Sequence, residues 1–194
     1  MKAFFTRYSY TIVKLFLNQF AIALFGVGLA FACARAQNDT LLLITGIFSV
    51  LFYLFLQYAV MWEVGAKDGI SATARGQSRG LWRGLVIGLL ANSLNLLFAV
   101  FSIFRDFAPA GSGLAKMGGA FRSIALMIEG MYQGILAMPF GGLQLHDFAW
   151  VYFVIVVPAV LVCSVAYIIG SYNLHATNIL IPKNKDVKNN GRPD

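Results

Sequence analysis

The sequence predicts an all-α membrane protein: a bundle of four transmembrane helices with one additional interfacial or re-entrant helix. Of the 194 residues, 59% are hydrophobic and 12% are charged, whereas about a quarter of the residues in a soluble domain are charged. The apolar residues also form uncharged blocks of about 20 residues, the length of helix that crosses a hydrocarbon core of about 30 Å. Helices are predicted rather than barrel strands because the blocks show no alternation of apolar and polar residues.

Four of these blocks are long enough to span the membrane: residues 15–34, 41–62, 84–104 and 149–169. A fifth segment, 121–139, carries Arg122, Glu129 and Gln133. A charge near the bilayer centre costs about 2.5 to 3.5 kcal/mol, and a large apolar residue returns only about 0.3 to 0.6 kcal/mol. We therefore expect segment 121–139 to be interfacial or re-entrant, and five spans remain the alternative.

The distribution of basic residues favours four spans. With four spans, 11 of the 15 Lys and Arg residues lie on the side of the two termini and 4 lie on the other side, whereas five spans divide them 7 against 8. Because basic loops stay in the cytoplasm, the sequence predicts a multi-pass plasma membrane protein with both termini in the cytoplasm. Residues 1–182 are predicted to form a single integral membrane domain, and residues 183–194 a disordered basic tail.

The formal charge of +7 indicates an interaction with the membrane surface. Because the basic residues flank apolar segments, anionic lipid headgroups are the expected partner and nucleic acid is not. Arg75, Arg79 and Arg83 recur every four residues and would repel one another on one helix face unless phosphate groups lay beside them. We expect these three arginines to contact headgroups; a positive loop that only sets the topology is the alternative.

A row of glycines is the sharpest pattern in the chain. Gly76, Gly80, Gly84 and Gly88 also recur every four residues, and small residues at this spacing let two helices approach backbone to backbone. We expect the third helix to begin near Ser71 and to carry the whole row. The row then packs against a helix of the same chain, a second copy or a partner subunit.

Polar side chains within the spans are the second pattern. Asn18, Gln57, Asn92 and Asn95 fall in or near the cytoplasmic halves of the predicted spans, and Pro158 lies in the middle of the last span. Hydrogen bonds between helices are worth about 0.6 kcal/mol each, so these amides are expected to hold helices together. The alternative is a polar cavity that faces the cytoplasm, towards which a kink at Pro158 frees a carbonyl group.

The sequence contains no catalytic, metal-binding or cofactor-binding motif. His146 and His175 lie on opposite sides of the membrane in the four-span arrangement, so they cannot share a metal ion. Glu129 is expected to pair with Arg122 on the same helix face rather than to transfer protons. We therefore expect no enzymatic activity, no cofactor and no metal.

The stretch 62–69, WEVGAKDG, places Glu63 and Lys67 in the favourable order for an ion pair on one helix. With the basic loop and the glycine-rich helix that follow, it resembles small uncharacterised integral membrane proteins of low-GC Gram-positive bacteria. This resemblance covers the layout of most of the chain. It implies a location in a bacterial plasma membrane and no particular activity.

Together these patterns predict a non-enzymatic membrane protein. Its expected role is that of a structural or accessory subunit, which packs through the glycine row into a homo-oligomer or a larger membrane complex. The alternative role is a small-solute transporter or permease component that uses the cytoplasm-facing polar cavity.

Overall fold

The computed structural model describes residues 2–140 and 142–173, so the predicted tail 183–194 and His175 lie outside the described residues. The chain forms nine α-helices within this part. They are α1 (Lys2–Arg35), α2 (Asp39–Ala74), α3 (Arg83–Ala91), α4 (Ser93–Ser102), α5 (Phe104–Phe107), α6 (Gly113–Ile128), α7 (Gln133–Leu136), α8 (Val151–Val154) and α9 (Val156–Ser171). Short 3₁₀ turns at Gly130–Tyr132 and Leu145–Asp147, and a two-stranded hairpin of β1 (Pro139–Phe140) and β2 (Leu143–Gln144), complete the fold.

The predicted all-α fold is confirmed. Three helical stretches are long and apolar enough to cross a membrane: Ala3–Arg35, Asp39–Ala74 and Val151–Ser171. A fourth span results if Arg83–Ala91 and Ser93–Phe107, which meet at a bend of 53°, are counted together. The described residues therefore provide three spans, or four with the bent pair.

The three long helical stretches and the bent pair alternate in direction. Helices α1 and α3 begin at the end of the bundle that contains Arg7, Asp68 and Arg83, which we call the basic end. Helices α2 and α9 run towards it, and they pack so closely that a Cβ atom on Gly65 of α2 would collide with the backbone of Tyr167 in α9. The other end, which contains Arg105 and Asp147, is called the opposite end.

The side chain of Asn92 explains the bend between α3 and α4. The Nδ2 atom of Asn92 donates to the carbonyl oxygen of Gly88 at 2.9 Å, and the Asn92 backbone N–H donates to the same oxygen at 3.1 Å. A side chain that competes for a carbonyl four residues back bends a helix. Helix α3 therefore ends at Ala91 and α4 begins at Ser93.

The expected helix start near Ser71 is wrong, because Ser71 belongs to α2, which continues to Ala74. Gly76 has a φ of +61°. Its N–H donates to the carbonyl oxygen of Thr73, and the N–H of Gln77 donates to that of Ala72. These two bonds form the glycine-containing motif that commonly ends a helix.

Residues 113–136 enter the bundle from the opposite end and turn back inside it; we call them the re-entrant segment. Helix α6 begins at the opposite end, where a Cβ atom on Gly118 would collide with the Arg105 backbone. It runs inward to Ile128, and the chain then turns through Gly130–Tyr132 and α7. The chain is back at the opposite end at Asp147, whose carbonyl oxygen accepts a hydrogen bond from Arg122. The single helix predicted over 121–139 is therefore wrong: the helix starts earlier and breaks at Glu129.

Two glycines allow the turn of the re-entrant segment to pack closely between α1 and α2. A Cβ atom on Gly26 of α1 would lie 2.6 Å from the carbonyl oxygen of Gly130, and one on Gly46 of α2 would lie 2.8 Å from the Cα atom of Gly134. Backbone therefore contacts backbone on both sides of the turn. This contact brings Glu129 into the interior of the bundle.

Candidate functional site

The bundle has an apolar exterior and a polar interior. Large apolar side chains such as Leu17, Phe31 and Phe55 are exposed, whereas polar side chains are buried. The buried set includes Gln19, Gln57, Asn92, Asn95 and Glu129. This inversion of the usual soluble pattern fits a chain surrounded by lipid, and it concentrates the polar chemistry inside the bundle.

Six buried side chains form what we call the Glu129 cluster. Its members are Gln19 of α1, Tyr53 of α2, Asn92 and Asn95 at the bend, and Glu129 and Tyr132 of the re-entrant segment. Gln19 lies half-way along α1 and Tyr53 near the middle of α2. The cluster therefore lies at mid-height in the bundle, where an ionisable group is most costly to bury in a membrane.

The carboxyl group of Glu129 is the centre of this cluster. Glu129 is 4% exposed, and the Nε2 atom of Gln19 donates to its Oε1 atom at 3.5 Å. Asn95 also lies within hydrogen-bonding reach of the carboxyl.

Weaker contacts join the cluster to the neighbouring helices. Asn95 Nδ2 donates to Asn92 Oδ1 at 3.2 Å, and the Tyr53 hydroxyl donates to the same oxygen at 3.5 Å. Next to them, Gln57 Nε2 donates to the carbonyl oxygen of Leu15 at 3.4 Å. These bonds connect α1, α2 and the α3–α4 bend around Glu129.

Three polar atoms of the cluster have no hydrogen-bond partner among the described residues: Gln19 Oε1, Asn95 Oδ1 and the Tyr132 hydroxyl. Each buried polar group left without a partner costs about 1 to 3 kcal/mol. A proton or small polar ligand that supplied partners to these atoms would therefore be bound favourably.

No family model matches this sequence, and no curated protein or solved structure matches it. The functional interpretation therefore rests on the geometry of the chain. Within the part of the chain that the structure describes, no group of three or more His, Cys, Asp or Glu side chains could hold a metal ion.

Three of the five residues predicted for a polar cavity, Gln57, Asn92 and Asn95, come together in or beside the cluster. Asn18 is only half-buried, because it lies about 100° around α1 from Gln19, which takes the inward position. Pro158 is also half-buried. The last span breaks at Ile155, three residues before it, which fits a proline kink.

The predicted pairing of Glu129 with Arg122 is wrong. Arg122 Nη2 pairs with Asp106 Oδ2 at 2.6 Å, and the same guanidinium donates to the carbonyl oxygens of Ser102 and Asp147 at 3.2 and 2.8 Å. These contacts hold α6 at the opposite end. Glu129 lies about two helical turns deeper, roughly 10 Å further along the helix axis.

The glycine row does not lie on one helix. Gly76 ends α2, and Gly80 lies in the following turn, where its carbonyl oxygen accepts the N–H of Arg83 at 3.0 Å. Gly84 and Gly88 do lie on α3, where they face Tyr167 and Cys163 of α9. Half of the predicted row therefore serves a helix contact within the chain.

The three arginines also separate. Arg83 Nη1 lies 3.8 Å from Asp68 Oδ2 and donates to the Tyr8 hydroxyl at 3.4 Å, so it is engaged inside the protein. The guanidinium of Arg79 lies 4.5 Å from the centre of the Tyr172 ring, and Arg75, which directly follows α2 as its C-cap, is exposed. A single face of three arginines is wrong because the chain turns between them.

A second buried carboxylate, Asp68, was not identified from the sequence. It accepts hydrogen bonds from the Tyr167 hydroxyl at 2.7 Å and from the Tyr8 hydroxyl at 2.5 Å, and it pairs with Arg7. With Arg83 nearby, this Asp68 hub joins α1, α2, α3 and α9 at the basic end. On the same helix, the predicted ion pair of Glu63 with Lys67 is confirmed, with an O–N distance of 2.6 Å.

Proposed function

We propose that this protein is a non-enzymatic membrane transport component whose binding site for a small solute or ion is the Glu129 cluster. The observation that carries this proposal is a buried carboxyl group at mid-height in the bundle, with no Lys or Arg side chain paired to it among the described residues. Ionisable groups are costly inside a membrane, and those that occur there typically mark a solute or ion pathway.

Irregular backbone around the cluster also supports the proposal. One span is interrupted at Asn92, and the re-entrant segment turns at Gly130. Non-helical backbone at membrane depth is tolerated only where protein surrounds it or where it lines a cavity. Membrane transporters commonly bind their substrates at such interrupted helices near the midplane.

A cavity of about 300 Å³ at the basic end is where a solute from that side would enter. It lies between α1 and α2 and is lined by Arg7, Thr11, Lys14 and Val60 among others. Thr11 is two helical turns from Gln19, which corresponds to about 12 Å along α1. A small solute that enters from this end therefore has to pass the Asp68 hub before it reaches Glu129.

The test is a thermal-shift screen of the purified protein in detergent with sodium, potassium and ammonium ions, single amino acids and small sugars. We expect at least one of these to raise the unfolding temperature of the wild type and not that of Glu129→Gln. A ligand at about 100 times its Kd adds about 2.7 kcal/mol to stability. Glu63→Gln, which removes the exposed glutamate, is the matched control and should respond like the wild type. Equal responses of wild type and Glu129→Gln to every solute would refute the proposal.

The accessory-subunit role is a second proposal. Its support is the apolar outer face of α2, where the exposed rings of Phe48 and Phe52 stack at 6.3 Å; such a face fits a partner helix as well as lipid. Gly84 and Gly88 do not support it, since they already pack inside the chain. A cysteine at Phe52 should form a cross-linked complex in membranes if this role is correct, and its absence would count against the role.

We further propose that the basic end faces the cytoplasm of a bacterial cell. Seven described Lys and Arg residues lie towards the basic end: Lys2, Arg7, Lys14, Lys67, Arg75, Arg79 and Arg83. Four lie towards the opposite end: Arg35, Arg105, Lys116 and Arg122. This excess supports the orientation. In this orientation the exposed residues Arg75 and Arg79 lie where they can contact anionic headgroups of the inner leaflet.

A further inference from the structure

We propose that the ion handled by the Glu129 cluster is a proton, carried by the carboxyl group of Glu129. In the conformation described here this carboxyl is the neutral acid, and it exchanges its proton when the cluster opens to solvent. The inference rests on the proposed transport function and names its ion.

The described side chains that face Glu129 carry no positive charge. The groups that face it are Gln19 from α1, Tyr53 from α2, Asn95 from α4 and Tyr132 from its own segment. Only the two tyrosines among these can titrate, and a tyrosine hydroxyl is neutral at physiological pH. An ionised carboxylate would therefore lack a compensating positive charge among the described residues, and a buried group in that situation takes up a proton instead.

Arg122 does not supply the compensation. Its guanidinium is engaged by Asp106 and by two carbonyl oxygens at the opposite end. The arginines of the basic end are likewise engaged: Arg7 and Arg83 both face Asp68. Each of these three positive charges thus already has a carboxylate beside it.

The Gln19 amide can form two hydrogen bonds with a protonated Glu129 carboxyl. Gln19 directs its Nε2 donor to one oxygen of Glu129 at 3.5 Å, and its Oε1 acceptor has no partner among the described residues. A protonated carboxyl carries one O–H donor and one free carbonyl oxygen. Glu129 as the neutral acid can therefore accept from Nε2 and donate to Oε1 of the same amide, which gives a partner to an atom that otherwise has none.

The same geometry argues against a metal cation at this position. A bound cation attracts oxygen atoms, yet the amide atom that faces the Glu129 carboxyl is nitrogen. A proton needs only the two atoms of the Gln19 amide that are already present.

Infrared spectroscopy can test the protonation state directly, because the chain contains only two glutamates, Glu63 and Glu129. Glu63 is exposed and paired with Lys67, so it is ionised at neutral pH. We expect protein labelled with ¹³C-glutamate, in lipid nanodiscs at neutral pH, to show a C=O stretching band of a neutral carboxylic acid that shifts with the label. The band should be absent in Glu129→Gln and present in Glu63→Gln.

The outcomes separate this inference from the transport proposal. An absent band in the labelled wild type would overturn the proton assignment, and this measurement needs no substitution that could impair folding. A band that disappears at constant pH when sodium is added would overturn it in favour of a cation. A solute that stabilises the wild type in the thermal-shift screen, combined with an absent band, would retain the transport role and reject the proton. A band without any stabilising solute would show that Glu129 is neutral but would refute the transport role, and with it the proton as a transported ion.

Discussion

Replacing Asp68 by asparagine should destabilise the protein far more than replacing a neighbouring glutamate on the same helix. The side chain of Asp68 is 7% exposed, and it faces Arg7, Arg83 and the hydroxyls of Tyr8 and Tyr167. The substituted amide would keep one acceptor oxygen and the shape of the side chain. It would remove the charge that holds two arginines and strengthens two hydrogen bonds.

The size of the effect follows from these contacts. A hydrogen bond to a charged group contributes about 1.5 to 3 kcal/mol, and removing one partner of a fully buried pair costs about 3 to 5 kcal/mol. The side chains of Arg7 and Arg83 are 43% and 31% exposed, so water can solvate both when the charge of Asp68 is removed. We therefore expect a net loss of about 2 to 4 kcal/mol for Asp68→Asn.

Thermal unfolding in detergent, followed by the fluorescence of the three tryptophans, measures this loss. For a chain of this size it corresponds to a decrease of about 5 to 15 °C in the Tm. Glu63→Gln is the control: its ion pair with Lys67 has side chains that are 53% and 73% exposed, and exposed pairs of this kind contribute about 0.3 to 0.5 kcal/mol. Equal Tm changes in the two variants would refute the assignment of Asp68 as a buried hub.

Three further predictions concern the packing of the helices and the orientation of the chain. Gly84→Leu should cost about 1 to 3 kcal/mol through overpacking against α9, whereas Gly28→Leu, with no atom within 4 Å of its added Cβ, should leave the Tm unchanged or raise it. Arg122→Met should lower the Tm, because it removes a buried cation that pairs with Asp106 and donates to two carbonyl oxygens. The Tm of Arg122→Lys should lie between those of Arg122→Met and the wild type, and equal Tm values for the two variants would contradict this. With both native cysteines buried, an impermeant maleimide applied to intact cells should label Ala110→Cys and not Gln77→Cys; the reverse pattern would overturn the proposed orientation.

Hydropathy was sufficient to find the long apolar helices, but it did not define their bounds. The predicted spans 15–34 and 41–62 lie inside helices Lys2–Arg35 and Asp39–Ala74. An apolar window records only the length of chain that lipid covers. The helical extensions at the basic end are polar enough to escape such a window, and the Asp68 hub stabilises them through contacts distant in sequence.

The glycine row shows how one spacing can combine two structural roles. Gly76 ends α2, while Gly84 and Gly88 pack against α9. A glycine just beyond a helix is the commonest stop signal, so the position of Gly76 after the polar stretch at the end of α2 was a usable clue. The regular spacing obscured it, because periodicity alone cannot distinguish a helix from two helix ends joined by a turn.

The Glu129 cluster was only partly predictable. Its amides were recognisable as polar residues within apolar spans, but the carboxyl was assigned to Arg122 because both residues lie on one short segment. The actual partner of Arg122, Asp106, precedes it by 16 residues, and Gln19 is 110 residues from Glu129. Contacts at that separation depend on how the re-entrant turn packs between α1 and α2, which a single sequence does not encode in any local pattern.

The two carboxyl groups that are buried among the described residues have different surroundings. Asp68 and Glu129 are 6% and 4% exposed, yet Asp68 has two arginines and two hydroxyls around it while Glu129 has amides and tyrosines. A buried charge with partners stabilises a fold, and one without partners costs stability unless it is neutralised. Asp68→Asn should therefore lower the Tm and leave the acid band of Glu129 in place. Glu129→Gln should remove that band without a comparable loss of Tm, because glutamine is as neutral as the protonated acid. If both substitutions lowered the Tm equally, Glu129 would be a structural ion like Asp68, and the argument for a proton at mid-height in the bundle would fail.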